Sequence, residues 1–359
     1  MSILKALFGG KKEEPKVTVQ FQAESVQKAG APLKKVSASV QDLILLSIAE
    51  DYGVGETKYP DYLRSRFGIG FPNEVFKKLE KNGMIRPSSP KESLPHMKAS
   101  ELKAIATKIG VKTSGKKEEI CARIAENVSE ETLSVDVPKR YWIVTEKGKS
   151  LLEANKYIAF YMEKHPYYLE SVGLDVNSYS KLFSGNPSGR VRDVIWGEFN
   201  RKSGEYYAEG MSKGEFQNYC TLLRTMALFL EEENRHMDAL RIYMRYMHYR
   251  ANFDAGLHAI RYYSVLKKVD ETADMLFMNT EILPYIANEI QAMSNGCGFD
   301  SKQLHAFMTD SLSQEKDTGL FSPKELADLI MYGLNGDQEG QKKICKTAMR
   351  SAAKKLPKR

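Results

Sequence analysis

Two segments with the composition of β-strands lie far apart in this chain, and a complete helical unit fits between them. The first, MIRPSS, starts at Met84, and the second, YWIV, spans residues 141–144. Strands of a hairpin are usually joined by about two to five residues, whereas residues 87–139 separate these two. Residues 94–124, LPHMKASELKAIATKIGVKTSGKKEEICARI, have the apolar spacing of two helices joined by a turn. We therefore predict a small domain inserted into a hairpin, because a compact unit with adjacent ends tolerates such a position.

Helical patterns on both sides of the two strands give an order of elements that is typical of one fold. Ser39 is placed to cap a first helix, a short second helix follows, and Pro72 begins a third helix. After the second strand, Thr145 is placed to cap a closing helix. Three helices, a strand, a wing, a strand and a helix is the winged-helix order. The predicted domains are a winged-helix-like domain at residues 38–93 and 138–155, and the inserted unit at residues 94–128.

The GKS tripeptide after the second strand resembles part of a phosphate-binding loop. That loop needs an earlier glycine so that its backbone amides can curl around phosphates, and Ile143 occupies that position here. Nucleotide binding is therefore not predicted.

The inserted segment resembles the SAP domain, a small helix-turn-helix-like module of DNA-associated proteins. The residues that carry the resemblance are Glu101-Leu102-Lys103, Gly110-Val111, Ser114-Gly115-Lys116-Lys117, Glu119-Ile120 and Arg123-Ile124. Its apolar residues line two facing helices, with Leu102, Ile105 and Ile109 on one and Ile120 and Ile124 on the other. The wider ordering of the chain resembles SAP-domain proteins of bacteria and their prophages.

The SAP resemblance implies that the start of the second helix and nearby basic residues contact DNA. Ser114 and Gly115 are expected to open that helix and to leave its first backbone amides free for a phosphate. On the third helix of the flanking domain, the lysines lie opposite the apolar stripe and face outward. The candidate nucleic-acid-binding residues are Lys98, Lys112, Gly115, Lys116, Lys117, Lys77 and Lys81. SAP-like units can also serve as structural or protein-binding modules, which leaves a second interpretation open.

Positive charge is concentrated at the two ends of the chain. Residues 342–359 contain eight Lys or Arg and no acid, and residues 1–37 contain seven Lys and three Glu, in a chain of net charge +7. We expect a flexible basic arm at residues 1–37 and a basic tail at 342–359. Such segments attract polyanions without sequence preference, although solvated tails explain them equally well.

Residues 156–341 show only helical patterns. Two helices joined between Glu233 and His236 place apolar residues approximately where a tetratricopeptide repeat has them, so we predict a TPR-like helical array. These positions are Leu223, Ala227, Leu230, Ala239, Leu240 and Tyr243. Arg241 and Arg245, interleaved with tyrosines, could line a groove for RNA or an acidic peptide. The alternative, which we favour, packs the tyrosines inward and leaves the arginines in solvent.

Other residues of the helical region are expected to be structural. Trp196 is predicted to be a core or interdomain anchor, and Ser322 with Pro323 is predicted to cap a helix that closes the region before the tail.

Several functional classes are not favoured by the sequence. The four cysteines form no Cys-x-x-Cys pair and the histidines no ligand pattern, so we expect reduced thiols, a cytoplasmic location, and neither metal nor cofactor. No apolar run is long enough to cross a bilayer, and no catalytic motif is present. The leading hypothesis is a non-enzymatic DNA-binding adaptor whose helical region binds protein partners or self-associates. The rival is a protein-interaction scaffold in which the SAP unit is structural.

Overall fold

The computed structural model describes residues 38–163, 166–184, 190–317 and 319–356. These residues form two compact units, the first ending at Val194 and the second beginning at Ile195. Helices dominate both units, and the described residues contain one two-stranded sheet. The predicted mainly α class is confirmed. The basic arm predicted at residues 1–37 lies outside the described residues.

The first unit contains both strands and the inserted helices. Its elements, in chain order, are α1 (Val40–Ser47), α2 (Asp61–Ser65), α3 (Pro72–Lys81), β1 (Ile85–Pro87), α4 (Pro90–Ser93), α5 (Ala99–Lys108), α6 (Lys117–Asn127), α7 (Glu130–Asp136), β2 (Trp142–Val144), α8 (Glu146–Glu153), α9 (Lys156–Glu163), α10 (Pro166–Ser171) and α11 (Val176–Ser184). Ser39 caps α1, and Thr145 caps α8, as predicted.

The two strands pair with each other across the inserted helices. They are antiparallel, with Ile85 opposite Val144 and Pro87 opposite Trp142, which confirms the predicted hairpin. A further segment, which the sequence analysis missed, borders the hairpin because Gly53 forms an isolated bridge to Tyr141.

Close packing behind the hairpin explains the GKS tripeptide. A Cβ atom on Gly148 would lie 2.3 Å from the carbonyl oxygen of Met84 and 2.8 Å from the Val144 side chain. Only glycine therefore allows α8 to approach the hairpin this closely. The buried Trp142 of the same strand stacks on Phe76, with ring centroids 5.7 Å apart.

The second unit is an array of helices. Its elements are α12 (Val191–Lys213), whose first residues precede the unit boundary, α13 (Gln217–Glu232), α14 (His236–Tyr249), a π-helix (Arg250–Ala255), α15 (Gly256–Leu266), α16 (Val269–Thr280), α17 (Pro284–Cys297), α18 (Ser301–Ser313), α19 (Pro323–Leu334) and α20 (Gln338–Lys355). Ser322 caps α19.

The helix pair α13 and α14 forms as predicted, with its turn at the predicted place. In this turn Asn234 adopts a left-handed conformation with φ of 58°. All six predicted packing residues of this pair are buried. Trp196 is also in the core, at 7% exposure, with its ring 6.0 Å from that of Phe199.

The last described helix corrects the prediction of a basic tail. Residues 342–355 belong to α20, and one face of this helix is buried through Cys345, Ala348, Met349 and Ala352. The run of charge is therefore one side of an amphipathic helix that packs on α16 and α19.

Candidate functional site

The inserted unit has its own apolar core. Leu102 and Ile105 from α5 meet Ile120 and Ile124 from α6, as predicted, and Ile109 packs against them. Five further core residues were not predicted: Leu94, Ala106, Cys121, Leu133 and Val137. Leu133 lies in α7 and Val137 follows it. A third helix therefore closes the unit.

A turn held by one arginine joins α5 to α6. Gly115 has φ of 118°, and a Cβ atom there would lie 2.3 Å from the Glu119 carboxylate. The guanidinium of Arg123 donates to the carbonyl oxygen of Lys112 and, at 2.5 Å, to that of Ser114. The Arg123 side chain thus bridges two carbonyl groups of the turn.

The start of α6 lies slightly later than the sequence suggested. Ser114 and Gly115 do not open the helix, because Lys116 is its N-cap and Lys117 its first residue. The Lys116 amide donates to the Glu119 carboxylate at 3.2 Å. Within the described part of the chain, no hydrogen bond occupies the amides of Lys117 and Glu118. Two amides at a helix start therefore remain for a ligand.

The predicted basic residues near this start are accessible. Lys112 and Lys116 are exposed and Lys117 is half-buried, and none of the three makes an ion pair with another described residue. Lys108, by contrast, binds Asp136 at 2.7 Å. These three lysines and the two amides form what we call the α6 corner.

The remaining predicted residues are not part of this corner. Lys98 is exposed but lies at the start of α5, whereas the α6 corner follows the other end of this helix. The helix is about 15 Å long. Lys77 and Lys81 are exposed on α3, whereas their neighbour Lys78 binds Asp42 at 2.6 Å.

Hydrogen bonds next to the strands close the hairpin at the point where the chain leaves it for the inserted unit and returns. The Ser88 amide donates to the Tyr141 carbonyl at 2.7 Å, and the Tyr141 amide donates to the Ser88 hydroxyl at 2.9 Å. Arg86 forms a two-pronged hydrogen bond with Glu92 at 2.6 and 2.7 Å, which lowers the pKa of that carboxyl to about 2. The chain therefore enters and leaves the unit at adjacent points.

The tyrosine and arginine groove considered for the second unit is not formed. Tyr243, Tyr246 and Tyr249 are buried, which confirms the favoured interpretation. The expectation of solvated arginines is wrong for Arg245, whose side chain is 22% exposed and binds Glu315 at 3.0 Å. Burial of this pair and of the rings leaves no stacking surface there.

Comparison with known proteins identifies the class of the inserted unit. Residues 93–128 match the family model of the SAP domain, a generally DNA-binding module. The match covers about a tenth of the chain, so it defines this unit and not the family of the whole protein. No curated protein matches the chain, and no solved structure does.

Other kinds of site are not apparent in the described residues. No group of three or more His, Cys, Asp and Glu residues in the described ranges could hold a metal ion. None of the described helices has the length and apolar character needed to cross a membrane. The four cysteines are free, and burial raises the pKa of the Cys121 thiol.

Proposed function

We propose that this protein is a non-enzymatic nucleic-acid-binding adaptor. In this proposal the SAP unit contacts the DNA backbone, and the helical second unit, which we regard as TPR-like, binds protein partners. The observation that carries the proposal is the α6 corner, where two free amides and three accessible lysines lie in a segment that matches the SAP family.

The chemistry of the α6 corner suits a phosphate group. Amides at a helix start point outward and carry partial positive charge, and the three lysines add full charges close by. Glu118 and Glu119 in the first turn oppose this attraction. Because the Glu119 carboxylate accepts from the Lys116 amide, its negative charge offsets the partial positive charge of the helix start. The three lysines therefore supply most of the attraction for a phosphate. We therefore expect binding that depends strongly on salt and little on sequence.

The flanking domain supports a broader contact. We regard α1 to α3, the hairpin and α8 as winged-helix-like, with Lys77 and Lys81 on the outer side of α3 as additional phosphate contacts. These lysines are exposed, and neutralising either should weaken binding to all duplex sequences by a similar factor.

The test replaces the two lysines at the helix start in the full chain. Lys116→Glu with Lys117→Glu should lower the affinity for duplex DNA at least about tenfold. The neutral pair Lys116→Gln and Lys117→Gln should reduce the slope of log affinity against log salt by about 1.8. The control pair, Lys302→Glu with Lys316→Glu, makes the same charge change on exposed residues of the second unit. An affinity equal to that of the control pair would contradict the proposal.

The rival function is a protein-interaction scaffold in which the SAP unit is structural. Contacts between the helix that closes this unit and the segment after β1 favour it, since the Ser89 hydroxyl and the Lys91 amide donate to the Glu130 carboxylate at 2.8 and 3.2 Å. If purified protein does not bind duplex DNA at physiological salt, the scaffold is the better description.

A further inference from the structure

One face of α20 carries a continuous row of cations. At about 100° per residue, Lys343, Lys346, Arg350 and Lys354 lie within a single stripe of the helix. The residues of the opposite stripe, Cys345, Ala348, Met349 and Ala352, are buried. Because this buried side fixes the rotation of the helix, the cationic stripe must face outward. We call these four cations the α20 ridge.

Acidic neighbours neutralise only part of the ridge. Lys346 binds Asp270 at 2.8 Å, and Arg350 lies 3.8 Å from the same carboxylate. Within the described ranges, Lys343 and Lys354 are exposed and make no ion pair. Among the described ion pairs, the Asp270 carboxylate alone holds ridge cations, two of the four. Glu339, one turn before Lys343, pairs instead with Lys342 at 2.8 Å, so the ridge keeps a net positive charge.

The shape and chemistry of the α20 ridge match a chain of phosphates. Lys343 and Lys354 are about 16 Å apart along the helix axis, a length over which one strand of B-form DNA presents about five phosphates. The helix contains no aromatic residue that could stack on a base. Its charge has one sign along this whole length, which suits a phosphate backbone more than bases.

We propose that the α20 ridge binds the phosphate backbone of nucleic acid, as a second contact surface located on the helical unit. The proposal rests on the nucleic-acid-binding function proposed above. It assigns to the second unit a share of the affinity in addition to any role in binding proteins. This share is electrostatic and independent of sequence.

The experiment removes the two unpaired cations from the full chain. Deleting residues 342–359 would remove the buried Cys345 and Met349 and expose the core that they cover, so substitution is required. Lys343→Gln with Lys354→Gln is compared with Lys302→Gln and Lys316→Gln, exposed lysines on and after α18. Fluorescence anisotropy with a short mixed-sequence duplex is measured across a range of sodium chloride concentrations.

The ridge pair should reduce the slope of log affinity against log salt by about 1.8 and lower the affinity tens-fold at about 0.1 M salt. A result equal to that of the control pair would overturn the ridge proposal. The α6-corner variants in the same assay test the proposed function separately, because each pair can lose binding while the other retains it. Loss of binding to polyglutamate with unchanged duplex binding would assign the ridge to an acidic protein and would also overturn the proposal.

Discussion

Arg123 is predicted to hold the α6 corner in shape without contacting DNA itself. Its guanidinium donates to the carbonyl oxygens of Lys112 and Ser114, and its Nε donates to that of Glu119 at 3.0 Å. Only the first two bonds cross the turn. A hydrogen bond from a charged donor contributes about 1.5 to 3 kcal/mol when buried, and less in solvent. We assign about 1 kcal/mol to each, since the residue is partly exposed.

Loss of both bonds should therefore favour opening of the turn by about 2 kcal/mol, or about thirtyfold. Amide hydrogen exchange at Val111 and Lys116, whose amides donate to Ala106 and Glu119 at the two ends of the turn, should accelerate by up to that factor in Arg123→Met. The effect on DNA affinity should be smaller, because affinity falls only in proportion to the population of closed turns.

Arg123→Lys is the matched variant, since it keeps the charge but replaces the planar guanidinium fork with a single, more strongly hydrated ammonium nitrogen. The turn amides of Arg123→Lys should exchange almost as fast as those of Arg123→Met. The salt dependence of DNA binding by Arg123→Lys should equal that of the natural protein. If the exchange of the lysine variant is unchanged, the guanidinium bridge does not hold the turn and our assignment is wrong.

Three further predictions concern the two cores. Trp196→Ala should lower the free energy of unfolding by about 3 to 5 kcal/mol and so lower the melting temperature, while the affinity of the folded protein for DNA is unchanged. Lost affinity with an unchanged melting temperature would make Trp196 a contact residue. Gly148→Ala should destabilise the first unit by at least about 1 to 3 kcal/mol in urea unfolding, because its Cβ would overlap the Met84 carbonyl; unchanged stability would refute the close-packing argument. Burial lowers the pKa of His248 from 6.5 to about 4. Between these pH values the unfolded state binds a proton that the folded state does not. The free energy of unfolding should therefore fall by about 3 kcal/mol as the pH drops from 6.5 to 4. His248→Gln should flatten this dependence in urea titrations, and an unchanged slope would assign it to other groups.

The hairpin was predictable because two constraints agreed. The β-branched and aromatic residues of YWIV indicated a strand, and a strand of three or four residues needs a partner to be stable. The only earlier candidate was the segment at Met84. The helix start at Lys117 was less predictable, because serine is a good N-cap and Ser114 was the natural choice. The left-handed Gly115 and the contacts of Arg123 move the N-cap two residues, from Ser114 to Lys116, and the contacts of Arg123 have no signal in local sequence.

Two elements were missed or misassigned for different reasons. In α7 only Leu133 faces the core and Val137 follows the helix, a pattern too short for helical periodicity to be detected. In α20 the many lysines concealed an inner stripe of small residues, Cys345, Ala348 and Ala352. That stripe repeats at three and four residues, so attention to spacing instead of charge would have identified the helix.

The adjacent entry and exit points of the SAP unit affect how the protein searches for its ligand. A module on one flexible linker explores a volume set by linker length, and its local concentration near a second contact falls as the linker grows. The Ser88 and Tyr141 pair replaces such a tether with two anchored connections. The lysines of α6 and α3 belong to one compact unit, so under the proposed function they would reach a duplex together. In that case the spacing of these lysines would select for DNA shape with no base contacts at all.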